Sequence, residues 1–155
     1  MEWLAVAEGR AGQLDRAVEA LREALPLANG DARIYVANNL ACTLAALGDA
    51  RGLDAAREAF RLAREARHAI LMANAVAYLA AGSWSTDAAR AARLFGYAQA
   101  RLIELGWQPD NTDASIEARL TAALESLLGE PRLHELLARG ASLSEEDALA
   151  EAESI

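Results

Sequence analysis

A chain of 155 residues with a net charge of −8, whose fifteen basic residues are all arginine, lacks the cation excess that general binding to nucleic-acid phosphates requires. Hydrophobic residues make up 54%, alanine being the commonest, against 5% aromatics, and no β-branched run is long enough for a strand, so the composition is that of an all-α protein. No apolar run approaches 18 residues, no basic leader precedes an apolar segment, and Cys42 has no second cysteine to pair with; no membrane span or export signal is expected, and a reducing cytoplasm suits the chain.

In chain order, residues 2–11 read as a short helix with Trp3 and Leu4 on its apolar side, broken at Gly12. Residues 13–28 form the next helix, with Leu14, Ala17, Leu21 and Ala24 at helical spacing and a stop at Pro26 and Asn29-Gly30. Asp31 is placed to cap a helix that runs through Leu40, Leu44 and Leu47 to Gly48. A helix over 53–67 follows, then a bend at His68-Ala69 and a helix through Leu71, Val76 and Leu79 to Gly82. The turn Gly82-Ser83-Trp84-Ser85-Thr86 offers hydroxyl caps to a helix over 87–105, which Gly106 ends. Past the turn cluster GWQPDNTD the spacing predicts helices at about 113–128, 131–139 and 144–153, the last capped by Ser144 with Glu145, Glu146 and Asp147 in its first turn.

One string is written three times. GLDAAREAFRLA at 52–63 has a counterpart, QLDRAVEALREA, 39 residues earlier, and a looser one 35 residues later, with Ala91, Phe95 and Ala98 at the places of Ala56, Phe60 and Ala63. Upstream, Asn39 and Leu44 map onto Asn74 and Leu79. This period predicts an α-solenoid of about three degenerate helix-pair repeats over residues 1–106. Residues 107–155 do not copy the pattern and read as a C-terminal helical cap within the same domain, with Leu120, Leu124, Leu127, Leu133, Leu136 and Leu137 facing the third repeat.

The small-large-small spacing of Ala56, Phe60 and Ala63, after a leucine-rich helix ending in Gly48-Asp49, resembles the tetratricopeptide repeat. That resemblance implies a right-handed superhelix whose first helices line a concave groove. Residues 87–153 bear a narrower resemblance. ARLFG at 92–96 and the stretch LLGEPRLHELLARGASLSEEDALAEA are similar to the C-terminal repeat region of large bacterial signalling ATPases and transcriptional regulators. The expected function is therefore a non-enzymatic protein- or peptide-binding module, the sensor end of such a regulator. The alternative is a stand-alone adaptor or oligomerisation domain.

The repeat alignment puts Tyr35, Asn38, Asn39, Cys42 and Ala46 of one first helix, and Ile70, Ala73, Asn74 and Ala77 of the next, along the groove. Asn39 falls where the resemblance has an asparagine that clamps a peptide carboxylate, but Ala69 and Ala73 stand where that clamp needs cations. Asn39 and Asn74 then either meet a partner or bond between neighbouring helices, and the groove suits a helix or an apolar peptide face. Elsewhere the bland alternatives prevail. His68 and His134 stand alone without metal-ligand spacing, Cys42 reads as a packed thiol, and Arg57, Arg61, Arg64 and Arg67 read as a solvated face interleaved with acids. No cofactor, metal, nucleic acid or membrane is expected. At the other end, Trp3, Leu4 and Val6 form a face that a homodimer would cover.

Overall fold

The computed structural model describes the backbone of residues 2–155 and the side chains of residues 11–155. Among the described residues the protein is all-α, with eight helices and no strand: α1 (Glu2–Ala24), α2 (Gly30–Leu47), α3 (Gly52–Glu65), α4 (Ala69–Ser83), α5 (Ala88–Glu104), α6 (Asn111–Leu128), α7 (Glu130–Ala141) and α8 (Glu145–Glu153). None of them is long and apolar enough to cross a membrane. The face expected at Trp3, Leu4 and Val6 lies outside the residues whose side chains are described.

Two expected boundaries are corrected. Residues 2–24 form one helix, not two, and Gly12 sits inside it. A helical glycine costs only about 1 kcal/mol against alanine, whereas ending a helix needs a turn, and Gln13 and Leu14 supply none. Asp31 does not cap α2 either: Gly30 takes a φ of 54° and begins the helix, so Asn29 holds the cap position and Asp31 lies in the first turn.

The later ends follow side-chain chemistry closely. His68 caps α4, its Nδ1 accepting from the Leu71 amide at 3.3 Å. The hydroxyl caps expected for α5 are replaced by Asp87, whose Oδ1 accepts from the Arg90 amide at 3.0 Å. α4 runs on to Ser83, and that hydroxyl is spent donating back to the Leu79 carbonyl at 2.7 Å. Gly106 ends α5 as expected, with a φ of 72° that a side chain would strain. Asp110 and Asp113 form a reciprocal capping box at the head of α6, and Ser144 caps α8.

Short turns at 48–51, 66–68 and 84–87 join α2 to α5, so each packs against the next as an antiparallel neighbour. Ala56, Phe60 and Ala63 of α3 and Ala91, Phe95 and Ala98 of α5 are all buried between helices. Small residues at these crossings let backbones approach closely. α1 packs chiefly on α2, where Val18 meets Leu40 and Leu44 in a small core of its own.

The tail divides rather than facing one way. α7 lies on α5, where two glycines set the distance. A Cβ on Gly96 would stand 2.8 Å from Leu137 Cα, and one on Gly140 would stand 2.7 Å from the Arg93 carbonyl carbon. Leu133 and Leu136 are buried in this contact. α8 spans α3 and α5, held by Arg57 on the Ile155 backbone oxygen, Arg64 on Glu153 and Arg93 on Glu151. α6 instead lies across α2, α4 and α5, burying Ile116, Leu120 and Leu124. Leu127, expected to be covered, is 57% exposed, while its neighbour Leu128 packs against the core, so Leu127 lies on the outer side of the last turn of α6.

Candidate functional site

The predicted groove residues do share one side of α2 and α4, but they do not line an open channel. Cys42, Ala46, Asn74 and Ala77 adjoin α6, which lies over them. Ala73 is 2% exposed and sealed between helices, so it offers nothing to a partner. Ile70 is half-buried. Tyr35 is exposed at the free end, where its hydroxyl meets His68 Nε2 at 3.2 Å and the two rings stand edge to face at 5.6 Å. Since His68 Nδ1 accepts from α4, the neutral ring carries its proton on Nε2 and donates to Tyr35.

The asparagines part company. Asn39 is exposed, and only its backbone carbonyl is used, accepting from the Thr43 hydroxyl at 2.7 Å. Asn38 and Asn74 are buried, and Asn38 Oδ1 has no hydrogen-bond partner among the described residues. Asn74 adjoins the cleft beside the head of α6.

Three side chains that the sequence reading passed over seat α6. Asp113 Oδ1 accepts from the Tyr78 hydroxyl at 3.2 Å and from the Cys42 thiol at 3.8 Å. One turn and a half along α6, Arg119 donates to the Ala46 carbonyl near the C-terminal end of α2, where a cation also suits the helix dipole. Burial pushes the Asp113 carboxyl above the ordinary carboxylate range, with the Asp110 charge adding to the shift, while hydrogen bonds from Asp110, Tyr78 and Cys42 pull the other way. Burial likewise pushes the Cys42 thiol up to about 12, and the Tyr78 hydroxyl well above its usual value. A thiol in that condition is a poor nucleophile. The signal for Asp113 was weak in the sequence: one acid in a helix cap, 71 residues from Cys42.

Two clefts flank α6. One, of about 390 Å³, opens at the α2–α3 turn between Asp49, Leu53, Trp84 and Arg119. The other, of about 180 Å³, lies between α4, α5 and the head of α6, with Asn74, Phe95, Leu102 and Trp107 among its walls. Of the four arginines read as a solvated face, three lie on α3 beside acids: Arg57 pairs with Asp54, Arg61 with Glu58 and Glu65, and Arg64 with Glu153, while Arg67 lies beyond the helix in the turn to α4 with a φ of 54°. No cluster of three or more metal-ligating side chains occurs among the described residues. In comparisons with known families, curated proteins and solved structures, nothing matches the chain.

Proposed function

We propose that this protein is a helix-binding module of tetratricopeptide-like construction, a right-handed solenoid of two helix pairs, α2–α3 and α4–α5, preceded by α1 and closed by α7 and α8. On this reading it takes a protein or peptide partner as the sensor end of a bacterial transcriptional regulator or signalling ATPase. The observation that carries the reading is the seat of α6. The side of α2 and α4 marked by the repeat alignment holds an amphipathic helix in cis, through three buried apolar side chains, a polar contact at its head and another at its middle. A surface so shaped suits a partner helix that offers apolar anchors at helical spacing. The regulator assignment rests on the resemblance of 92–96 and 128–153, and the two glycines that meet across α5 and α7 belong to those stretches.

The test is a displayed library of amphipathic helical peptides selected against the full chain. Peptides are expected whose binding raises hydrogen exchange across residues 111–128 and is weakened at least tenfold by Ala77→Arg. Binders that leave exchange in α6 unchanged, and are indifferent to Ala77→Arg, would place partner recognition elsewhere.

A further inference from the structure

We propose that the cleft between α4, α5 and the head of α6 binds a small organic cation with an apolar body, of the size of an arylalkylamine. Size comes first. The cleft measures about 180 Å³, and a cavity of about 150 Å³ already accepts benzene, so a single ring with a short chain fills it and a folded peptide does not enter.

Its walls are apolar, from Phe95 at the buried end to Leu102, Ile116 and the rim residues Ile103 and Trp107. Ile103 is 77% exposed, an apolar side chain held at the mouth. On the α4 wall, Asn74 is 3% exposed as a whole residue and contributes a polar side chain to the cleft lining. An amide there is able to hydrogen-bond a polar group of whatever fills the space.

Charge chooses the ligand class. The chain has fifteen arginines, yet none lines this cleft; its two acidic side chains are Asp113 and Glu117. Asp113 is taken up by Tyr78, Cys42 and the Asp110 amide. Glu117 spends one oxygen on the Gln99 amide at 2.7 Å, and its other oxygen has no partner among the described residues. An ammonium group therefore finds a carboxylate, and Trp107 also lines the cleft as a ring suited to a cation–π contact. An anion of the same shape finds only repulsion. This site shares Asn74 and Ala77 with the helix-binding face, but it is lined from α5 as well and is formed with α6 in place, so Glu117→Gln tests it separately.

The experiment titrates the full chain with phenethylamine, and with 2-phenylethanol and phenylacetate as neutral and anionic counterparts, following the Trp107 indole resonance. Phenethylamine is expected to give a saturable shift with at least tenfold tighter binding than either counterpart. Glu117→Gln retains an acceptor for Gln99 and is expected to weaken the amine about tenfold while leaving the alcohol unaffected. Ala77→Leu, which takes up cleft volume, is expected to weaken all three probes at an unchanged melting temperature. Equal binding of amine and alcohol, an amine affinity indifferent to Glu117→Gln, or no saturable shift with any probe would overturn the proposal.

Discussion

Asp113 concentrates the chemistry of the α6 seat. Its carboxyl is desolvated, so the folded protein holds the proton more tightly than the unfolded chain does. Stability at this group therefore falls as pH rises from the unfolded carboxylate value through the raised folded one, and the penalty is relieved below that window. The Tyr78 hydroxyl works against the shift by donating to the carboxylate. Tyr78→Phe is expected to move the Asp113 midpoint further up, read from the side-chain carboxyl carbon in a pH titration. A midpoint that stays or falls would show that the bond is not made in solution. Cys42 gives a second reading of the same spot. With its thiol pushed up to about 12 by burial, reaction with a disulfide reagent at pH 8 is expected only on the timescale of local opening, and to accelerate when α6 is weakened by Leu120→Ala. Fast labelling of the native chain would contradict this. Neither contact was legible in the sequence, because nothing in a helix-cap acid announces which distant hydroxyl it will meet.

At the scale of elements, the helices were legible and their terminations less so. Periodicity located the apolar faces of α3 and α5, and Ser144 and Gly106 marked ends that the structure keeps. Gly12 misled because the same residue serves as a breaker or as a tolerated interior position, and only the following residues decide. The two glycines that matter most read as unremarkable helix positions. Gly96 and Gly140 bring α5 and α7 into backbone contact, a tertiary demand with no local signature. Gly96→Ala is expected to destabilise by about 2 kcal/mol, an overpacking cost of about 3 kcal/mol offset by about 1 kcal/mol of helix propensity. Gly12→Ala meets nothing within 4 Å among the described residues and is expected to stabilise by about 0.5 to 1 kcal/mol. Denaturant titration of the two variants checks both signs at once. A neutral Gly96→Ala would mean that α7 is not seated on α5 as described.

At the scale of the molecule, the repeat alignment grouped residues of α2 and α4 as an open groove, whereas α6 lies beside several of them. Cys42, Ala46, Asn74 and Ala77 do lie together on α2 and α4, because the spacing that aligns copies also aligns the faces of the helices. That α6 would cover them was hidden, since α6 carries no copy of the repeat and its three buried side chains read equally well as a cap. On the proposed function, α6 is a lightly held occupant of the face formed by α2 and α4. It buries Ile116, Leu120 and Leu124 and is flanked by clefts on both sides, while α4 and α5 are enclosed by neighbours. Regions with few buried contacts open below the free energy of global unfolding. Native-state hydrogen exchange across low denaturant concentrations measures this directly. The amides of residues 114–128 are expected to exchange through a sub-global opening that leaves α4, α5 and α7 protected. Exchange of α6 that merges with the global unfolding of α4 would contradict it, and would make α6 a fixed part of the core.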